Sequence, residues 1–315
     1  MAAVNKAKTS SSPAGRVAPE LLVRVRQLQI RTHRLVNTAL AGGYRSVFRG
    51  QGIEFEEVRP YQPGDEVRAI DWNVTARAGA PFVKAYREER ELSIHLLVDT
   101  NLGMDFGTRR WTKREAAAQI SGLFAHVAIR NQDRIGLTMF GPEILHHVPS
   151  GKSSRHVLRL IADVMNAPVS DQPSDLQGVL EATGNVLHRR SLILVMSDFG
   201  GAEDGGPWVE KLSRLARRHD VIVVRITDPL ESELPPVGPI LLRSSRTGEV
   251  VELDGHSPAV REQWAADAAA REHRLETQLK RTRVDLLKIN VGEDLAVPLA
   301  AYFRRRASRM GRRQA

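Results

Sequence analysis

Residues Leu92–Gly107 read LSIHLLVDTNLGMDFG, and the fold class turns on how that stretch is read. Ile94 to Val98 is a short apolar run with a β-branched residue at each end. Charge bounds it on one side, and Asp99, Asn101, Gly103 and Gly107 bound it on the other. Such a run reads as a strand buried on both faces, as in a parallel sheet. It ends in a carboxylate and a turn, and Lys113 then opens a helical pattern. Strand, Asp and helix in that order place Asp99 in the crevice where open α/β sheets bind ligands.

Outward from there the alternation is regular. Downstream, helices are predicted over 113–130, 153–165, 176–188, 208–218, 258–281 and 295–306. Strands are predicted over 134–140, 192–196, 221–226 and 284–289. Residues 144–148 read as a hairpin or edge partner of 134–140, and 239–253 as a hairpin turning near Thr247-Gly248. Strands separated by helices argue an α/β fold with a doubly wound, mainly parallel sheet. Upstream, 1–19 is rich in Ser, Ala, Lys and Pro, a composition expected to be disordered. Pro19-Glu20 opens a helix with Leu21, Val25, Leu28 and Leu35 on one stripe, stopped at Gly42-Gly43. Residues 44–90 alternate as short strands and carry many turn residues, which reads as a small β-rich module. The expected organisation is a tail over 1–19, helix plus module over 20–91, the α/β domain over 92–306, and a basic tail over 307–315.

The 315 residues are 42% hydrophobic and 26% charged, as in a globular protein with a sizeable core. With no cysteine, disulfides and thiolate metal sites are excluded. No apolar run approaches the roughly 18 residues of a membrane span. The first residues lack the apolar core of a signal peptide, so a cytoplasmic location is expected. The net charge is +9, but the basic residues are spread along helices with acidic neighbours. Aromatic residues, at 5%, are not interleaved with them as a single-strand stacking platform requires. The densest cluster, Arg304, Arg305, Arg306, Arg309, Arg312 and Arg313, suits a helix end and is the one place for a nucleic-acid contact.

The two strongest strands both end in Asp, at Asp99 and Asp198. As neighbours in the sheet they would converge and repel unless a cation sat between them. A hard divalent cation such as Mg²⁺ is the natural occupant, with Asn101 adding a carbonyl oxygen and Ser174 or Asp175 another. The plainer role for these Asp residues is to cap helices and start turns. No nucleophile–base set is evident. His146-His147 lacks partners at a triad's spacing. Gly151-Lys152-Ser153 echoes a phosphate loop, but the earlier glycine of that motif falls on His146.

The order and lengths of these elements resemble a von Willebrand factor type A domain. There the first strand ends D-x-S-x-S, a Thr follows on a later loop and an Asp follows the fourth strand. Together they form a metal-ion-dependent adhesion site. Asp99 matches the first position, Ser174 stands where the Thr belongs, and Asp198 matches the last. Asn101 and Gly103 stand where the two Ser should be. The resemblance therefore implies the fold, and a degenerate Mg²⁺ site at Asp99, Asn101, Ser174 and Asp198.

The upstream module narrows this. Arg45-Ser46, Gly50-x-Gly52 and Glu54-Phe55 lead into Arg59-Pro60-Tyr61-Gln62-Pro63-Gly64-Asp65. Arg68, Ile70-Asp71-Trp72, Ala76-Arg77, Lys84 and Glu88-Glu89 follow. With Asp228-Pro229-x-Glu231-x-x-Leu234-Pro235 downstream, this spacing resembles the bacterial family called domain of unknown function 58. Arg59, Arg68 and Arg77 can pair with Asp65, Asp71 and Glu88 or Glu89, and Trp72 can anchor a rigid junction. The sharper role for Arg59, Tyr61, Asp65, Arg68, Asp71, Trp72 and Arg77 is a partner-docking surface. Similar proteins are usually encoded beside MoxR-type AAA+ ATPases. The resemblance thus implies a non-enzymatic adaptor between such an ATPase and a client protein. The alternatives are a metal-dependent hydrolase using Asp99 and Asp198, and a nucleic-acid binder acting through the basic tail.

Overall fold

The computed structural model describes residues 52–89, 91–244 and 247–314. The helix expected to open at Pro19-Glu20 lies outside them. β1 (Gly52–Pro60) and β2 (Phe82–Glu89) pair antiparallel, with a bulge between Phe55 and Glu57. The short helix α1 (Trp72–Ala78) lies between them in sequence. Asp71 caps it by accepting the Asn73 and Val74 N–H groups at 3.0 and 3.3 Å. Gly79 closes it in the left-handed region, at φ 71°.

β3 (Ser93–Asp99) begins the main sheet. α2 (Lys113–Asn131), β4 (Arg134–Phe140), β5 (Ile144–Gly151), α3 (Ser154–Met165) and α4 (Leu176–Val186) follow. Then come β6 (Leu192–Ser197), α5 (Pro207–Arg218) and β7 (Asp220–Thr227). The β8 (Pro239–Arg243) and β9 (Val250–Asp254) hairpin leads into α6 (Pro258–Lys280), β10 (Asp285–Asn290) and α7 (Ala296–Gln314). The six-stranded sheet has the order β10-β7-β6-β3-β4-β5. Every neighbouring pair is parallel except β4 with β5, at the edge. The chain leaves β3 toward β4 on one side and returns to β6 on the other. The switch point therefore falls between β3 and β6, at the carboxyl ends that carry Asp99 and Asp198.

A parallel sheet covered on both faces needs strands apolar on both faces, and every residue of β6 is buried. One core joins the sheet to α2, α3 and α7 through Ile120, Leu123, Phe124, Leu160 and Phe303. The other joins it to α4, α5 and α6 through Leu180, Trp208, Leu212 and Leu275. Full burial of each large side chain is worth about 1.5–3 kcal/mol. Thr112 starts α2 with a capping box: its Oγ1 accepts the Glu115 N–H at 3.1 Å, and Glu115 Oε2 accepts the Thr112 N–H at 3.0 Å.

Some weaker motifs resolve into structure. Ser153 caps α3 by accepting the His156 N–H at 3.1 Å, and Lys152 pairs with Glu91 at 2.8 Å, so Gly151-Lys152-Ser153 is a strand end meeting a cap. His147 shares a hydrogen bond with Thr138 at 2.9 Å, and His146 lies 3.3 Å from Asp163. α7 runs helical to Gln314, through the stretch expected as a separate basic tail. Arg306, expected in the exposed Arg cluster, is instead half-buried and holds Asp220 and Asp285 at the starts of β7 and β10.

Candidate functional site

The site is assembled from the turns that follow β3, β6 and β7 and from the loop that leads into α4. β3 ends at Asp99, which is buried. Asn101 caps the 3₁₀ turn Leu102–Asp105, its Oδ1 accepting the Met104 N–H at 3.1 Å. That bond fixes which end of the amide is oxygen, so the NH₂ faces the carboxylates. Asn101 Nδ2 donates to Asp99 Oδ2 at 3.0 Å and to Asp198 Oδ1 at 3.1 Å. Asp99 also accepts the Asn101 N–H at 3.0 Å, the Ser174 hydroxyl at 2.5 Å and the Ser197 hydroxyl at 2.6 Å. The structure thus brings together Asp99, Asn101, Ser174 and Asp198, as their places along the chain suggested.

A fifth group completes the centre. Lys113, the first residue of α2, is 0% exposed. Its ammonium lies 3.2 Å from Asp198 Oδ2, donates also to Glu231, and sits 5.8 Å from the centre of the Phe106 ring. Glu231 belongs to a second capping box, in which its Oε2 accepts the Asp228 N–H at 3.0 Å. The buried Asp228 accepts the Thr108 N–H at 2.7 Å and the Thr108 hydroxyl at 2.6 Å. Asp228-Pro229-x-Glu231 is therefore a clasp that holds the turn after β7 against the turn after β3.

Burial pushes the Asp99 carboxyl up and the Asp198 charge adds to this, so it stands at about 6 although Ser174, Ser197 and the Asn101 N–H favour the anion. Asp198 goes the other way. Burial would raise it, but the Lys113 ammonium, the Gly200 N–H, Arg225 and Asn101 outweigh that and hold it below the usual carboxylate range. Burial would likewise strip the Lys113 proton, and Asp198 and Glu231 outweigh it and hold its pKa above that of an ordinary lysine. At neutral pH Asp198 and Lys113 form a buried ion pair.

This arrangement does not fit Mg²⁺. A divalent cation between the carboxylates needs oxygen lone pairs, and Asn101 turns donors there instead. Four donors already occupy Asp99, and Lys113 already neutralises Asp198. Gly103 brings no oxygen; a Cβ there would lie 2.2 Å from Asp198 Oδ2 and 2.9 Å from Asn101 Oδ1. Among the described residues no group of three or more His, Cys, Asp or Glu gathers as metal ligands do. Backbone strain marks the same place: Phe199, buried and non-glycine, holds φ 49° directly after Asp198.

Reading the chain by spacing missed Lys113, Glu231 and Ser197 as members of this centre. Lys113 did carry a signal. A cation in the first turn of a helix faces the positive end of the dipole, and something must offset that.

In the upstream module, Arg59 and Asp65 form a two-bonded fork at 2.7 and 2.8 Å within one turn. The Arg59 guanidinium and then the Gln62 N–H hold the Asp65 carboxyl below its usual range. The Tyr61 N–H donates to Pro81 at 2.9 Å. Asp71 caps α1 and pairs with Lys84 at 3.3 Å, not with Arg68 or Arg77. The Glu88 and Glu89 side chains lie outside the described residues. Arg68 and Arg77 are exposed. Trp72, expected as a buried junction anchor, is 67% exposed. It sits in the first turn of α1, whose short length leaves it no core to enter.

The chain is thus an α/β protein with a doubly wound sheet, one antiparallel edge strand and two carboxylates at its switch point. The family described as "Protein of unknown function DUF58" matches residues 57–275, and the chain belongs to that family. Uncharacterized proteins of Mycobacterium bovis and Mycobacterium tuberculosis are 30% identical to it over 298 residues, covering 93% of this chain and 92% of theirs. Among solved structures, the conserved hypothetical protein BatB from Bacteroides thetaiotaomicron matches 70% of this chain and 99% of its own, at 14% identity and a TM-score of 0.43. The VWA domain of SpRpn10 matches 66% of this chain and 93% of its own, at 12% identity and a TM-score of 0.35. Among the described residues no helix is long and apolar enough to cross a membrane.

Proposed function

We propose that this chain is a non-catalytic adaptor that works by protein–protein contact. Its partner is a MoxR-type AAA+ ATPase, and the contact face is the carboxyl end of the sheet around the turns that carry Asp99, Ser174 and Asp198. The observation that supports this is the closure of the centre. Asp99 is filled by four donors and Asp198 is neutralised by Lys113, so neither carboxylate is left to act on a substrate. Catalysis by a carboxylate pair needs a group free to move a proton or to hold an attacking water. A rigid, internally satisfied platform suits recognition instead. The exposed Trp72, Arg68 and Arg77 supply a second contact patch, since Trp and Arg are typical interface anchors.

The test is co-purification. The tagged chain is purified from its native cell with ATP and Mg²⁺, and bound proteins are identified by mass spectrometry. An AAA+ ATPase is expected among them, and Trp72→Ala with Arg77→Ala is expected to weaken its retention. Recovery of no AAA+ ATPase sinks the adaptor reading. Phosphatase turnover that scales with Mg²⁺ and vanishes in Asp99→Ala would replace it with a hydrolase.

A further inference from the structure

Beside the closed centre lies a cleft of about 1290 Å³. Its floor is the turns after β3, β6, β7 and β10, and its wall is the β8–β9 hairpin and the middle of α6. That volume exceeds the roughly 300–1,000 Å³ of ordinary small-molecule pockets and suits a chain segment. The wall is apolar where a globular protein would normally be polar. Leu242, Val251 and Leu253 share one face of the ribbon and line the cleft together with Trp264, and Val251 is 44% exposed. Two bare strands forming an isolated ribbon are marginal on their own, so an apolar face kept on one calls for a function.

Charge identifies the occupant. The chain as a whole carries 46 basic and 37 acidic residues. Among the described residues the cleft reverses that balance, with nine acidic side chains lining it and four basic ones. Glu203, Glu233, Glu249 and Glu293 make no ion pair among the described residues. Of the four cations, Arg225 and Lys288 are taken up by Glu272 and Glu276 and Arg271 lies over the Trp264 ring, while Lys113 behind the cleft is fully buried between Asp198 and Glu231. An acidic segment would meet repulsion here, whereas a basic one meets complementary charge.

We propose that this cleft is the docking site for a basic, amphipathic segment of a partner protein, its apolar side chains against Leu242, Val251 and Trp264 and its Lys or Arg residues toward Glu233, Glu249 and Glu293. The proposal rests on the adaptor reading and names the partner's chemistry. It also reverses the polarity of a metal-ion-dependent adhesion site, which captures a partner's carboxylate.

The experiment uses the full chain, fluorescently labelled, on an array of 12-residue peptides that vary independently in basic, acidic and apolar content. The best binders are then titrated by anisotropy. Peptides combining Lys or Arg with Leu, Ile or Phe are expected to dominate. Val251→Glu is expected to weaken them at least tenfold, and Glu249→Gln with Glu293→Gln to weaken them several-fold and flatten the salt dependence, whereas Leu241→Glu, on the opposite face of the ribbon, is expected to leave them unchanged. These positions are exposed, and far-UV circular dichroism checks that the variants fold. Enrichment of acidic peptides, or equal binding by the Val251→Glu variant, overturns the cleft proposal. So does an array with no binder. A peptide of residues 20–41 of this chain is included, and its outcompeting all others would reassign the cleft to the protein's own segment. The co-purification arm separates the two readings. If the ATPase is retained equally by the hairpin variant, the adaptor stands and the cleft fails; if no ATPase is found, the adaptor fails and the array alone decides the cleft.

Discussion

Two neighbouring regions at the carboxyl end of the sheet are built to opposite rules. At the centre, Asp99, Asn101, Lys113, Ser174, Asp198 and Glu231 turn inward and satisfy one another. On the hairpin, Val251 is exposed on the cleft side, where Glu233, Glu249 and Glu293 make no ion pair among the described residues. The residue types that spacing marks as functional hold four turns together. The residue types that look ordinary are left open to a partner. Chemistry at the centre is spent on position, and the surface it positions is the one able to bind.

The sharpest way to break this contrast is to remove the internal cation. Lys113→Met leaves two buried carboxylates facing each other without a counter-charge, and removing one partner of a buried pair costs about 3–5 kcal/mol. Unfolding in urea should show that loss. Lys113→Met with Asp198→Asn should recover much of it, because the orphaned charge is gone. A loss within 1 kcal/mol would mean that the pair is not the keystone described. The same variant sharpens the metal question. Wild-type melting should be unmoved by Mg²⁺ or EDTA, and Lys113→Met should gain no Mg²⁺ stabilisation either, because the four donors on Asp99 and the Asn101 amide remain in place. Stabilisation of the wild type by Mg²⁺ would break the comparison outright.

The next effect is in pH. The Asp99 carboxyl stands at about 6 in the folded protein against an ordinary value of 3.8. Between those values the folded state keeps a proton that the unfolded chain has released. Stability from this group is therefore highest below pH ~4, falls as pH rises toward ~6, and is flat above, for a total of about 2–3 kcal/mol. Asp99→Asn cannot ionise and should lack this component. The measurement is the difference in urea midpoint between wild type and variant at pH 4.5, 5.5 and 7. A difference that does not change with pH would show that Asp99 titrates normally.

Much of the fold was legible because periodicity and apolar runs are local. β3, β4 and β6 follow from runs such as Leu192–Ser197, and the helix ends follow from caps such as Thr112 and Ser153. The convergence of Asp99 and Asp198 was legible because a doubly wound sheet has one switch point. The identity of the cation was not. Lys113 lies 85 positions before Asp198 and Glu231 118 positions after Lys113, and only the packed turns bring them together. Trp72 and Arg306 fail for the same reason, since local spacing sets a side chain's face but not what lies opposite it. Gly103 was read as a residue that brings no ligand. Its missing Cβ is what gives Asp198 room.

That last point gives a test of intermediate size. Gly103→Ala drives a methyl group into the Asp198 carboxylate and the Asn101 amide oxygen. Overpacking a well-packed site costs about 1–3 kcal/mol. Gly103→Ser restores the residue type of the metal-ion-dependent pattern, yet it should lose stability to a similar degree. It should also gain no Mg²⁺ affinity by calorimetry, because Lys113 and the Asn101 amide remain in place. Mg²⁺ binding by Gly103→Ser would mean that the centre differs from a metal site by one oxygen alone.

The smallest effect on stability belongs to the other region. Leu241 and Val251 are already exposed, so Leu241→Glu and Val251→Glu remove little buried area and should each change unfolding free energy by less than about 0.5 kcal/mol. The contrast predicts an inverse order for binding, with Val251→Glu on the cleft face weakening at least tenfold the peptide interaction that Gly103→Ala, after its stability loss is corrected for, leaves largely intact. A stability loss of several kcal/mol on hairpin substitution would place these side chains in the core and end their candidacy as a docking wall. Small loss with binding gone would separate the residues that hold this surface in place from the residues that use it.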